Sequence, residues 1–578
     1  MWMVTLRRGL RIRTWLRAPI FWILFVAAVL RLVGLGWGLP ASDGWDSDGI
    51  APRDFLVGVS KTYLPGDYFT YPPFHLLILT ILTFPGWLTG IVNASSIAPA
   101  DIVAEFIKIP YMTFFALVAR LVSTVMSLGT IYYVGKIGEE LAGRRAGICV
   151  AGVCAMNATL TYYGHTTNLD GPYLFWSSLA ILFWIRVIAR HDLGQIRWMV
   201  LCAVAAIATK DQAYAIFLLS LPLSLIFWFA IDAWPKKNMR QVFAALLGWS
   251  LIGLFLLLLV DGVITNPTGF RARLAFLTGS ASQSHAYYSA NWHGYLQLVK
   301  DGWDNIDRYY PKATAVVAVM GFVIWIFRPL SNRGLWIAGF VPFLVALSFT
   351  LSFNFVVLRS ENRFLLPQSI FLAVYVGLAI EELIFSGQRT LAFLARFGVL
   401  VIGCLALFYC MAIDAAFLND PRYAAERWLK LHALPNDSIE TYGSNVYLPR
   451  FQEVGRVTRI DRKPIRSRSR LPGVIESADP FEFAVSRAPR FIVLSEFWAI
   501  RYLTGENEFS DSGRISSVAQ KDHFKDAAAR RYFRDLRDEK LPYRIRYEAG
   551  PSSGFWPAVR VHESLNERIL IFERIAEN

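Results

Sequence analysis

The chain has 578 residues, 55% of them hydrophobic and only 18% charged, with a mean hydropathy of +0.39. A soluble chain of this length carries about a quarter charged residues, so the composition excludes a string of ordinary water-facing domains and points to lipid. The 58 Lys and Arg outnumber the 44 Asp and Glu by 14, and where that excess falls decides between nucleic acid, anionic lipid and membrane topology.

Roughly 20 helical residues cross a bilayer. Apolar runs that reach this length, alone or with their flanks, are predicted at 20–36, 119–134, 146–162, 172–187, 198–208, 213–230, 242–260, 313–327, 335–351, 364–380 and 390–413, about eleven spans. The first external loop runs over 37–118 and is acidic at its start. Within it, 74–92 is predicted to lie along or dip into the outer leaflet, since Pro72, Pro73 and Pro85 interrupt it. A true span there would need a partner at 106–117, giving thirteen. A second large external loop covers 261–312 and is rich in Tyr, His, Asn and Trp. The N-terminal stretch is too long to read as a cleaved signal.

Basic residues fall between alternate spans. Arg7, Arg8, Arg11, Arg13 and Arg17 precede the first. Lys136, Arg144 and Arg145 follow the second, and then come Arg186, Arg190 and Arg197; Lys236, Lys237 and Arg240; Arg328 and Arg333; Arg389 and Arg396. The positive-inside rule places these short connections and the N-terminus in the cytoplasm, in an inner (plasma) membrane. Spread over many loops, the Arg residues form no single patch for nucleic acid. The five Cys sit in apolar runs and show neither a disulfide framework nor metal-type spacing.

From 414 the composition turns polar. Region 414–578 is predicted to be an extracytoplasmic α/β domain following a transmembrane domain of 1–413. Strand-like runs appear at 438–441, 490–494 and 569–572, and a helix at 421–433 has Ala424, Ala425, Trp428 and Leu431 on one face.

Four polar groups stand out at external loop positions. Asp43, Asp46 and Asp48 crowd three carboxylates just past the first span, which invites a raised pKa, a cation partner or a metal; a solvated acidic turn is the plain alternative. Asp170 opens a span, with His165 nearby; it reads equally as a helix cap before Pro172. Lys210 and Asp211 interrupt an apolar stretch and are costly there unless paired or functional. Arg359, Glu361 and Arg363 place two cations against the inside-positive trend, so phosphate binding or local pairing must account for them. Carboxylates and cations converging at one membrane face suit transfer from a lipid-linked phosphate. A carboxylate deprotonates an acceptor hydroxyl and cations stabilise the departing phosphate.

The order of these motifs resembles the polyprenyl-phosphate-dependent glycosyltransferases of the GT-C type, the family 39 or aminoarabinose-transferase-like branch, which includes the protein-mannosyltransferase-like enzymes. The resemblance covers nearly the whole chain. It is carried by Arg31, the acidic first loop, Tyr71-Pro72-Pro73, Arg120, the Gly143–Gly147 turn, Asp170, Thr209-Lys210 and the run from Arg363 to Pro367. In the tail it is carried by Asp420-Pro421-Arg422 with Trp428, and by the run from Arg490 to Ser495. It implies a GT-C-like fold and an inverting transfer of a sugar from a polyprenyl phosphate, such as undecaprenyl phosphate, to a glycan, lipid or protein hydroxyl. Asp48 or Asp46 would be the base. Asp170 would orient the base or the acceptor, and Lys210, Arg363 and Arg359 would hold the donor phosphate. Asp43, His165, Asp211, Glu361 and Tyr71 would serve the acceptor or the structure. The family's usual Asp-Glu pair is absent here, because Gly49 follows Asp48. No cofactor is fixed by the residues; a divalent metal, magnesium or manganese, is a candidate without assigned ligands. A secondary transporter using Asp170, Lys210 and Arg363, or a lipid-to-glycan ligase, are the alternatives. Transporter sites lie at the midplane, however, and these charges lie at helix ends.

Overall fold

The computed structural model describes residues 18–279, 286–329, 332–462, 471, 473–503, 526–551, 555–556, 561–562 and 564–575. The five N-terminal Arg residues named above lie outside them. Helix α1 (Pro19–Leu32) starts on a proline, whose missing N–H costs nothing in a first turn. Four short helices follow: α2 (Asp54–Tyr63), α3 (Phe74–Leu82), α4 (Phe84–Asn93) and α5 (Pro99–Phe106). The segment predicted to be interrupted is α3–α4, bent by 58°, with Pro85 in the first turn of α4.

Helix α6 (Ile109–Ala142) is one unbroken element of 34 residues. It begins well before the predicted 119, so 106–117 is no separate span and the first loop ends near Lys108. Pro110 fits the first turn, and the apolar side chains after it run on without a break. At about 1.5 Å per residue the helix is roughly 50 Å long. The predicted span 146–162 is divided into α7 (Arg144–Ala155) and α8 (Ala158–Tyr163). Asn157 causes the break: its Oδ1 accepts from Leu160 N at 2.8 Å and its Nδ2 donates to Ser369 Oγ at 3.0 Å.

The chain continues through α9 (Asp170–Arg190), α10 (Ile196–Ile207), α11 (Tyr214–Phe217), α12 (Ser220–Ile231) and α13 (Met239–Val260). Then come α14 (Pro267–Thr278), α15 (Trp292–Asp304), α16 (Ala313–Phe327), α17 (Arg333–Ala338), α18 (Val341–Phe349), α19 (Leu366–Ile384) and α20 (Arg389–Leu418). Among the described residues seven helical stretches are long and apolar enough to cross a membrane, or eight if the bent pair counts as one. Three other predicted spans are shorter apolar helices, at Pro19–Leu32, Leu193–Ile207 and Ala313–Phe327. Leu247, Leu251, Leu254 and Phe255 of α13 are exposed, a stripe that water would not tolerate and lipid does.

At one end of the bundle Glu140 of α6 pairs with Arg186 and Arg190 of α9, and Arg333 donates to Ile231 O at the end of α12. The other end faces the tail. Helix α16 crosses α19 at Gly321, where a Cβ would lie 1.9 Å from Tyr375 O. Small residues let helices approach this closely in lipid. Gly321→Ala is therefore expected to lower the melting midpoint in detergent, by the equivalent of about 1–3 kcal/mol. Gly248→Ala, mid-helix with nothing within 4 Å of the added carbon, should not lower it, since Ala is the better helix former.

The tail begins with α21 (Pro421–His432), capped by Asp420. Its buried stripe is Ala425 and Leu429 with Arg422 and Glu426, whereas Leu431 is 80% exposed. The predicted apolar face is thus rotated, because Arg422 and Glu426 turn inward to pair with Asp420 and Arg450. A six-stranded sheet follows: β1 (Ser438–Tyr442), β2 (Arg456–Asp461), β3 (Val474–Ala478), β4 (Phe491–Ser495), β5 (Tyr543–Ala549) and β6 (Ile569–Arg574), in the order β3-β2-β1-β4-β6-β5. The first four strands are parallel, and β6 joins β4 and β5 antiparallel. β4 is buried along its whole length, as a central parallel strand should be. Trp428 of α21 packs on one face against Phe491 and Tyr547. Trp498 and Phe533 pack against Tyr442 on the other.

Candidate active site

The end of the sheet where β1 and β4 finish grips the long loop after α1. Asn445 Nδ2 donates to Asp43 Oδ2 at 3.1 Å, Trp45 Nε1 donates to Leu448 O at 3.0 Å, and Arg450 Nη1 donates to Leu39 O at 2.5 Å. Beneath these contacts, Arg422 is fully buried. It pairs with Asp420 at 2.7 Å, donates to Ser564 O at 2.7 Å and to Val446 O, and lies over the rings of Trp37 and Trp45.

This clamp fixes the loop that carries the carboxylates. Asp46 Oδ1 caps its own turn, accepting from Asp48 N at 3.2 Å, and also accepts from Tyr162 OH at 3.3 Å. Its Oδ2 is buried, and the Thr166 hydroxyl lies against the carboxyl. Gly49 makes the turn compact, since a Cβ there would lie 2.6 Å from Thr167 Oγ1. Asp48 projects the other way. Its Oδ1 meets Arg363 Nη1 at 2.5 Å, and its Oδ2 accepts from His562 Nε2 at 3.0 Å. The second guanidinium nitrogen of Arg363 meets Glu361 at 2.6 Å, and Arg359 lies 3.9 Å from the same carboxylate.

A second pair adjoins the first. Lys210 Nζ donates to both oxygens of the fully buried Asp170 at 2.8 Å, and Gln212 Nε2 donates to Oδ1 at 3.0 Å. Asn168 links the two pairs, donating to Asp48 O at 3.3 Å and accepting from Asp170 N at 2.8 Å. Asp48, Arg363, Lys210 and Asp170 thus form one cluster at helix ends, contributed by the first loop, the turn before α19, the turn after α10 and the start of α9.

The charges push one another's titrations apart. Burial pushes Asp48 up, but the guanidinium of Arg363 and the imidazole of His562 outweigh it and hold the carboxyl below the ordinary range. Burial pushes Asp46 above that range; His562 opposes the shift and the charge of Asp48 adds to it. Burial also lowers Lys210, opposed by Asp170 and reinforced by Arg363. Burial raises the Tyr71 phenol to about 12, within reach of the charges of Arg363, Asp48 and Asp170.

Other predicted site residues go elsewhere. His165 faces Thr161 O at 2.8 Å and Val33 O at 2.7 Å, with Asp414 3.6 Å away, and burial takes its imidazole down to about 4. Asp211 pairs with Arg273 of α14. Asp43 lines a cavity of about 120 Å³ beside Asp46, Arg120 and Thr167. Among the described residues no group of three or more His, Cys, Asp or Glu is arranged to hold a metal ion. The oxygens of Asp48 are already engaged by Arg363 and His562, so the residues do not fit a metal and no step passes through one. Sequence reasoning did not mark out His562 or Asn168; both sit in short polar loops whose role depends on residues distant in the chain.

No family model matches the chain, and no curated protein matches it. Among solved structures the chain is similar to ArnT from Cupriavidus metallidurans in the apo state, at 13% identity and a TM-score of 0.49, over 83% of this chain and 93% of that one. The same protein bound to undecaprenyl phosphate gives 14% identity and a TM-score of 0.47 over the same shares. The Archaeoglobus fulgidus oligosaccharyltransferase in complex with Zn and sulfate gives 13% identity and a TM-score of 0.44, over 96% of this chain and 88% of that one.

Proposed function

We propose that the protein is an integral membrane glycosyltransferase, moving a sugar from a polyprenyl-phosphate donor to a hydroxyl acceptor with inversion at the anomeric carbon. The observation that carries this reading is the contact of Asp48 with Arg363, beside the linked Lys210–Asp170 pair. It sets a carboxylate and two cations together at the end of an apolar bundle. Asp48 takes the proton of the acceptor hydroxyl as its oxygen attacks the anomeric carbon. The bond from that carbon to the phosphate oxygen breaks, and its electron pair stays on the phosphate. Arg363 and Lys210 stabilise the charge that develops there, with Arg359 at the rim. Asp170 holds Lys210 in place, and the lipid chain lies along the exposed apolar helix faces. The tail and the 261–312 loop shape the acceptor side. The basic loops at the opposite end of the bundle put that end in the cytoplasm by the positive-inside rule, which leaves the site and tail outside.

The test is transfer in proteoliposomes from a radiolabelled undecaprenyl-phosphate sugar, with release of undecaprenyl phosphate. Lys210→Met is expected to raise the KM for the donor about tenfold or more, as loss of a charge-assisted contact does. If no lipid-linked sugar is consumed, and solute flux instead depends on Lys210, the protein is a transporter and the reading fails.

A further inference from the structure

His562 comes from the loop that leads into β6, more than 500 residues after the carboxylate it touches. Its ring stacks on Tyr162 with centroids 5.0 Å apart and planes 12° apart. Ser564 fixes the tautomer. The Ser564 backbone N–H points at Nδ1 at 3.2 Å, with the Ser564 hydroxyl 2.7 Å from the same atom. An N–H donor facing Nδ1 requires a lone pair there, so the neutral ring carries its proton on Nε2. That proton faces Asp48 Oδ2 at 3.0 Å, with Asp46 Oδ1 at 3.7 Å. Ser564 is itself anchored, because its carbonyl accepts from the buried Arg422. The imidazole is thus held from behind by backbone and from the side by an aromatic ring.

We propose that His562 is a positioning residue of the transfer site: its Nε2–H holds Asp48 Oδ2, so that the carboxylate keeps one orientation towards the acceptor hydroxyl while Arg363 is shared with the donor phosphate. The proposal rests on the reading of Asp48 as base. Without His562, a donor phosphate that draws Arg363 away would leave the Asp48 side chain free to rotate. The tail therefore completes the site. The charged and titratable groups that face Asp48 are Arg359, Glu361 and Arg363 from the turn before α19, Lys210 from the turn after α10, Asp46 and Tyr71 from the first loop, Tyr162 and Tyr163 from α8, and His562 from the tail.

The test compares His562→Ala and His562→Gln in the full chain in proteoliposomes, with the melting midpoint as a fold control. Gln carries an amide N–H close to where Nε2 sits, so it restores the donor without the ring. His562→Ala is expected to lower kcat about tenfold or more with donor KM within about twofold, a loss confined to the chemical step. It should also move the acidic limb of the pH profile upward, since a donor to the ionised carboxylate is gone. His562→Gln should recover most of the turnover. Unchanged kcat and an unchanged acidic limb in His562→Ala would overturn the proposal. So would equal loss in both variants at a native melting midpoint, which would assign the ring to packing alone. If Asp48→Asn is as active as the parent, it is the reading of Asp48 as base that falls.

Discussion

Asp48→Asn is expected to lower the turnover of sugar transfer by about 10²–10⁴-fold, the range that one positioned base contributes, with donor KM nearly unchanged. Asn keeps the shape, but its single amide oxygen accepts from only one of Arg363 and His562, and it cannot take a proton. Asp46→Asn should cost much less. Asp46 has the higher pKa of the two, yet its side chain is 4% exposed against 26% for Asp48, and its oxygens face Tyr162 and the small cavity beside Arg120. Geometry comes before pKa in choosing a base. The resting carboxyl of Asp48 is held below the ordinary range by Arg363 and His562, against the opposing effect of burial. A donor phosphate that draws off the charge of Arg363 raises that pKa. The acidic limb of kcat should therefore lie at higher pH than that of kcat/KM, because the first reports the donor complex and the second the free enzyme. Coincident limbs would mean that the Arg363–Asp48 contact persists with donor bound. Full loss in Asp46→Asn with activity kept in Asp48→Asn would exchange the roles of the two residues.

Arg422→Met is expected to destabilise the packing of the tail on the bundle by about 3–5 kcal/mol, since it leaves the Asp420 charge buried and unpaired. Thermal unfolding followed by tryptophan emission would read it, because Trp37 and Trp45 lie against the guanidinium. The double variant Asp420→Leu with Arg422→Met removes both charges and should recover part of the loss. It should not recover all of it, because Val446 O and Ser564 O lose their donor and each orphaned carbonyl costs about 1–3 kcal/mol. A single variant that melts with the parent would contradict this account of the clamp.

The charged residues of the membrane part were legible because an apolar chain makes them conspicuous. Lys210, Asp170, Arg363 and Asp48 each interrupt or bound a hydrophobic run, and lipid tolerates them there only in pairs or at a site. Their pairing was not legible. Local spacing set His165 beside Asp170 and Asp211 beside Lys210, yet the chain turns His165 to Val33 and Asp211 to Arg273. Helix existence was likewise readable and helix ends were not: α6 starts at Ile109 because Pro110 suits a first turn, a cue that hydropathy averages away. In the tail, β4 and β6 carry clear apolar runs, whereas β1 is mostly polar in sequence though buried, and β3 and much of β5 are exposed and show no such contrast. Arg422 and His562 were missed as contacts because a polar segment hides a buried charge among many solvated ones.

The separation of Asp48 from His562 by 514 positions also sets a schedule. A ribosome adding about 5–20 residues each second needs roughly 25–100 s to travel between them. Through that interval the acidic loop lies at the membrane without its histidine, and for most of it, until Asn445 and Arg450 are made, without its clamp as well. Assembly of the candidate site then waits on the tail, and a nascent chain stalled short of His562 would hold the Asp48 carboxylate through Arg363 alone.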